Sequence, residues 1–257
     1  MKSVFTTVLL ACWFLQPVQA IVNIENMNVL SDEVKQGFEA QLGVDISGKN
    51  GNTSKQKAGF DSRLQRFKEN GTDFFVFSYE YGESSEVKDT EKSFMHLRHI
   101  TYISQTLAWE AFAQLENNEF TRLSLRSLIG GGLRFKLGMP SKLHSSYFGT
   151  GLFRSKETLD EDPGATDEGS DYATRANLYM VNKIQISDNT SLSNTLYYQP
   201  DLSEASDYRL LEQLRFKVNI NQKLSIVLSL DVSRDSRPPQ NIKRTDSSYT
   251  TGFNYRF

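Results

Sequence analysis

The sequence predicts an all-β protein: a transmembrane antiparallel up-and-down β-barrel of about twelve strands, with ten as the nearest alternative, preceded by a cleaved signal peptide. Three observations carry that prediction. Lipid-compatible and polar residues alternate along most of the chain, tight turns alternate with longer polar connections, and the two ends read as export and assembly signals. In the last ten residues, Tyr249, Thr251, Phe253, Tyr255 and Phe257 form one row, and Ser248, Thr250, Gly252, Asn254 and Arg256 form the other. A period of two puts such rows on opposite faces of a strand, one toward lipid and one toward the lumen. Thr250, Gly252, Tyr255 and Phe257 also match the assembly signal with which outer-membrane barrels end.

At the other end, Met1-Lys2-Ser3 is a short basic start and Val4 to Leu15 is an apolar run broken only by Thr6 and Thr7. Val18-Gln19-Ala20 offers the small residues a signal peptidase inspects, so cleavage is expected between Ala20 and Ile21. The run falls short of the roughly 20 apolar residues of a membrane helix. Residues 1–20 are therefore expected to be the signal peptide, 21–35 a periplasmic segment and 36–257 the barrel. Leu9-Leu10-Ala11-Cys12 competes as a lipidation box, but cutting there would split the apolar run. Cys12 is the only cysteine, so a chain starting at Ile21 has no disulfide, thiol nucleophile or cysteine metal site.

Average composition conceals the membrane pattern. Over 257 residues only 38% are hydrophobic, and the mean hydropathy is −0.47. In a barrel, however, only alternate residues meet lipid. Aromatic residues make up 12%, which suits belts at two membrane interfaces. A net charge of −2 argues against a nucleic-acid partner.

Each strand has an expected outward row, and each segment reaches the ~9–11 residues that a tilted membrane strand needs. The first strand shows Phe38, Ala40, Leu42, Val44 and Ile46; the third shows Phe75, Phe77, Tyr79 and Tyr81. The fifth shows Leu107, Trp109, Ala111, Ala113 and Leu115. The sixth is the longest: Leu123, Leu125, Ser127, Ile129, Gly131, Leu133, Phe135 and Leu137. Later rows run from Tyr172 to Met180, from Tyr208 to Val218 and from Leu224 to Val232. The second, fourth, seventh and ninth strands rest partly on the spacing of turns.

Tight turns are expected at Glu69–Gly71, Ser104–Thr106, Met139–Ser141, Ser187–Asn189 and Asn219–Asn221, all rich in Gly, Pro, Asn, Asp or Ser. Longer polar loops are expected at Lys49–Ser54, Gly82–Thr90, Lys156–Ser170, Asp201–Ser206 and Asp235–Thr245, with a short one at Glu116–Glu119. Short periplasmic turns opposite longer external loops are the outer-membrane pattern. A soluble lipocalin-like barrel would need an apolar interior, whereas here the inward rows carry charge.

Those inward rows define the candidate site. Acidic residues, including Glu110 and Glu116, dominate the first five strands and the eleventh; Arg122, Arg126, Arg134, Lys136, Arg175, Lys183, Arg209, Arg215 and Lys217 make the sixth to tenth basic. Glu110, Glu116, Arg122, Arg126, Arg134 and Lys136 are expected to form a charge network that holds the lumen shut. The alternative is a narrow ion or small-solute channel. No catalytic residue, cofactor or metal site is expected. His144-x-Ser146 resembles the dyad of outer-membrane phospholipases, but it lies beside the Met139–Ser141 turn and has no assignable orienting partner. His96 and His99 differ in parity and cannot share a metal. The acidic run at 160–171 lacks the spacing of a calcium loop and reads as a solvated surface loop.

Several stretches resemble a bacterial family of salt-induced outer-membrane proteins of unassigned activity. They are Ile21–Asn26, Gly51-Asn52-Thr53, His96-Leu97-Arg98, Leu107–Gln114 and Leu123–Phe135 with its Gly130-Gly131-Gly132. The resemblance implies a barrel in the Gram-negative outer membrane, reached through the general secretory pathway, and brings no catalytic residues. Its expected partners are outer-membrane lipid and lipopolysaccharide, with the barrel-assembly machinery and periplasmic chaperones during biogenesis.

Overall fold

The computed structural model describes residues 36–49, 55–85, 87–138, 143–162, 164–167, 169–221 and 224–255. The expected cleavage site at Ala20–Ile21, the segment 21–35 and Phe257 lie outside them. Twelve strands follow in order: β1 Gly37–Lys49, β2 Lys55–Lys68, β3 Gly71–Ser84, β4 Val87–Tyr102, β5 Leu107–Asn118, β6 Leu123–Leu137, β7 His144–Leu159, β8 Gly169–Ser187, β9 Thr190–Pro200, β10 Tyr208–Asn219, β11 Leu224–Asp235 and β12 Thr245–Tyr255. Thr250, Gly252 and Tyr255 belong to β12 by backbone; their side chains lie outside the described ones. Each strand pairs antiparallel with the next, giving a single meander from β1 to β12. No β1–β12 ladder is present among the described residues.

Contacts between distant strands show the sheet curling into a barrel. Tyr179 on β8 bonds Glu110 on β5, Arg209 on β10 bonds Glu157 on β7, and Arg63 on β2 lies within electrostatic reach of Arg215 on β10. The stagger of the ladders agrees. One paired row runs Gly71–Thr101–Trp109–Leu133–Thr150–Leu178. It starts at the first residue of β3, passes one residue from the end of β4 and four from the end of β6, and reaches β8 nine residues from its end. The row thus climbs from the tight-turn end toward the loop end, as strand tilt in a closed barrel requires.

The exterior is apolar. Phe38, Leu42, Val44 and Ile46 on β1, Ile129 and Leu133 on β6, Leu228 and Leu230 on β11 and Tyr249 on β12 are all exposed. A soluble monomer does not present so continuous an apolar surface. The interior carries charge, but also two apolar clusters absent from the charge-only expectation. Phe74, Val76 and Phe94 form one; Tyr147, Tyr179, Val181, Tyr197 and Leu211 form the other.

Two expectations need correction. Leu123 does not face outward: it is 3% exposed, because the ladder skips a residue between Leu123 and Leu125 and turns the side chain inward. The polar stretch Gly82–Thr90 is not a loop: β3 continues to Ser84 and β4 starts at Val87. Its charges lie on strands that extend past the apolar belt, where Lys88 pairs with Glu91 at 2.8 Å and with Glu119 at 2.7 Å.

Candidate functional site

Toward the loop end, five charged side chains from five strands form one chain across the lumen. Register sets the first links: Glu116 lies opposite Arg126 and Arg126 opposite Glu157. Arg126 donates to Glu116 at 3.1 Å and to Glu157 at 3.0 Å. Arg209 and Asp235 are likewise cross-strand partners, joined at 2.9 Å. The closing link is not local. Arg209 Nη1 and Nη2 donate to the two carboxylate oxygens of Glu157 at 2.6 and 2.8 Å, bridging β10 to β7. A bidentate Arg–carboxylate pair is the strongest charge-assisted geometry available to side chains. Arg126, Arg209 and Glu116 are all buried, so each charge depends on the others for its solvation.

Nearer the tight-turn end a second layer crosses the lumen. Glu110 accepts from Arg98 at 3.3 Å and from the Tyr179 hydroxyl at 2.9 Å. Arg134 does not reach Glu116; its guanidinium lies 4.5 Å from the Tyr147 ring centroid and 5.8 Å from that of Tyr179. Backbone geometry makes room for this layer. Gly149 faces inward, and a methyl group there would overlap the Tyr179 ring. Gly132 and Gly151 pack backbone to backbone in the same way, so β6 and β7 present a flat wall to the tyrosine.

The structure therefore gathers Glu116 with Arg126, and Glu110 near Arg134, but separates two residues of the expected network. Arg122 adopts φ 56° after the 3-10 turn Glu119–Thr121 and leaves the strand ladder. It donates to Asp167 at 2.9 Å, to the Asp160 carbonyl at 3.0 Å and to the Gln240 carbonyl at 3.2 Å. Lys136 is half-buried and enters none of the ion pairs among the described residues. Glu157, Arg209 and Asp235 complete the upper chain; Glu157 and Asp235 are absent from the inward residues read from the sequence, because both fall in stretches expected as loops, whereas β7 runs to Leu159 and β11 to Asp235. Parity signals both, since Phe148 and Leu152 face out and Glu157 falls in the opposite row of β7, while Asp235 shares the row of Asp231 on β11.

Loops close over the charged layer and leave a cavity of about 370 Å³, lined in part by Arg126, Glu157, Arg175, Arg209 and Pro239. Asp167 accepts the Gln240 backbone N–H at 2.6 Å, and Asn241 donates to Asp162 at 2.9 Å. The Gln240 N–H, and then Arg122, hold the Asp167 carboxyl below the usual aspartate range. Arg237 pairs with Glu204 in the neighbouring loop and lowers that carboxyl in the same way.

The histidines separate as parity requires. His96 is buried in the lumen between Phe94 and Phe112, with ring centroids 6.1 Å from each. His99 is on the outer side, 2.6 Å from Asp73 and tilted against Trp109. His144 Nε2 is 2.8 Å from Ser146 Oγ, and Asn182 supplies a neighbour that the sequence did not reveal. That neighbour accepts the serine hydroxyl at 2.7 Å rather than orienting the histidine. No group of His, Cys, Asp and Glu able to hold a metal is present among the described residues.

Comparison with solved structures gives distant similarity to two porins and to an autotransporter unit. The chain is 8% identical to the NanC porin, covering 84% of this chain and 100% of that one at a TM-score of 0.47. It is 11% identical to the KdgM porin, covering 86% and 99% at 0.40. Against the transport unit of the autotransporter AIDA-I from Escherichia coli it is 12% identical, covering 89% and 92% at 0.37. No curated protein sequence matches. Residues 40–257 match one family model over most of the chain, and the protein belongs to that family, described as "Protein of unknown function, DUF481".

Proposed function

We propose that the protein is an outer-membrane β-barrel whose lumen is held shut by its own charges, serving as a structural or stress-related envelope component rather than a diffusion pore. The observation that carries this reading is the bidentate Arg209–Glu157 bridge between strands three apart in the sheet. In a wide water-filled pore such charges would be solvated separately and contribute little. The exposed apolar belt supports a lipid environment, and the tight turns mark the periplasmic end. Resemblance to salt-induced proteins fits an envelope component made under osmotic stress. On this reading the signal at residues 1–20 exports the chain, and Thr250, Gly252, Tyr255 and Phe257 engage the assembly machinery. One observation favours a narrow ion channel instead: Asp61, on the inward row of β2, is exposed, which leaves room for water along that wall.

Membrane fractionation, heat-modifiable gel mobility and planar-bilayer recording of the refolded chain test the proposal. A folded barrel that passes little and infrequent current is expected. A large, steady, ion-selective conductance would replace closure with the channel, and recovery of a helical protein from the cytosol would remove both.

A further inference from the structure

The outer wall of β7 breaks the apolar pattern. Arg154 and Lys156 lie in the same outward row as Phe148 and Leu152, and both are exposed. Arg154 is ten residues above the first residue of β7 and five below its last, which places the pair in the loop-end half of the wall. Neither has a carboxylate partner among the described residues. Instead both lean on one ring: Arg154 Cζ is 5.6 Å and Lys156 Nζ 5.7 Å from the Tyr172 centroid. Beside them a groove of about 440 Å³ crosses the wall, lined by Leu97, Ala113 and Ile129. The small Ala113 side chain lies between Leu97 and Ile129 in one paired row that passes through Arg154.

We propose that this surface is a binding site for the phosphorylated glycolipid of the outer leaflet, lipopolysaccharide. The inference rests on the outer-membrane reading and adds where one lipid is held. Uncompensated cations facing lipid are destabilising unless an anion meets them, most of all away from the interface. Two adjacent cations at outer-leaflet depth complement phosphate groups on a sugar headgroup. Tyr172 lies within cation–π distance of both side chains, and the groove accepts an acyl chain from the same molecule.

The test uses the refolded full-length barrel in detergent, titrated with bisphosphorylated lipid A, dephosphorylated lipid A and phosphatidylglycerol, and read by native mass spectrometry. Lipid A adducts are expected on the wild type and are expected to weaken at least tenfold on dephosphorylation or in the Arg154→Gln/Lys156→Gln double variant. Arg66→Gln, an outward cation near the opposite end, is expected to bind as the wild type does. Undiminished lipid A binding by a double variant with normal heat-modifiable mobility would overturn the site while leaving the barrel reading intact. Phosphatidylglycerol competing as well as lipid A would also overturn it, reducing the surface to a general anionic contact. A chain that forms no barrel at all would overturn both.

Discussion

Tyr179 joins contributions from several positions across the bore. Its ring lies against inward-facing Gly149, its hydroxyl donates to Glu110 three strands away, and Arg134 lies near its face. Tyr179→Phe keeps the ring and removes the donor, leaving Glu110 short of one bond in a buried site. A loss of about 1–3 kcal/mol is expected, measured by urea unfolding of the barrel folded into vesicles. Gly149→Val should cost more, because the ring must move as well as lose its bond; equal stability of the two variants would show that the wall is not tightly packed there. Arg209→Ala is expected to be the most damaging single change, at about 3–5 kcal/mol, because it leaves half-buried Glu157 and buried Asp235 with one partner fewer each. Ser146→Ala should change nothing measurable in a phospholipid-hydrolysis assay. Ser146 is only 4% exposed, and its hydroxyl donates to Asn182, which does not position His144 as a base. Hydrolysis that disappears in this variant would establish an enzyme.

The strands, turns and loops differ in how far local sequence specified them. Strands β1, β3, β5 and β6 were legible because their outward rows are almost wholly apolar. β7 was weak because His144, Ser146, Arg154 and Lys156 occupy its outward row, although it runs for 16 residues. The β3–β4 hairpin was misread for a related reason: beyond the apolar belt both faces meet water, so alternation disappears while pairing continues. The loops at 160–168 and 236–244 are joined through Asp167, Gln240 and Arg122. With its pKa lowered, the Asp167 carboxylate stabilises this junction above the unfolded value of about 3.9, and the contribution is lost as the pH falls through the folded value. The loops should therefore resist limited proteolysis across the neutral range and open below about pH 4. Asp167→Asn should be cleaved faster than the wild type at pH 7; an identical cleavage rate would mean that the loop junction does not depend on this charge.

For the barrel as a whole, closure is a prediction about ion flow. Arg126 sits between Glu116 and Glu157, so Arg126→Ala should leave two carboxylates in the bore without their shared cation. The current through a planar bilayer should rise and become cation-selective. No change in a folded Arg126→Ala barrel would locate the constriction in the lower layer around Tyr179.

The amino-acid sequence by itself determined the up-and-down strand pattern, at twelve strands against ten, most of the outward rows and four tight turns: Glu69–Gly71, Ser104–Thr106, Ser187–Asn189 and Asn219–Asn221. Each is a local property: side chains alternate along any extended backbone, and a lipid-facing row is mostly apolar. It also placed most of the lumen charges, because inward parity follows directly from outward parity. Only the tertiary structure decided which charges meet. Glu157 finds Arg209 and Tyr179 finds Glu110 because tilt, stagger and curvature bring strands three apart within bonding distance. Arg122 leaves the network because the 3-10 turn before it ends in a left-handed residue and the loops above supply better partners. Aromatic residues at inward positions, Phe74, Phe94, Tyr147 and Tyr197, occupy space that a reading of charges alone had left open. Contacts across a bore depend on its width, and width is set by how all the strands close together.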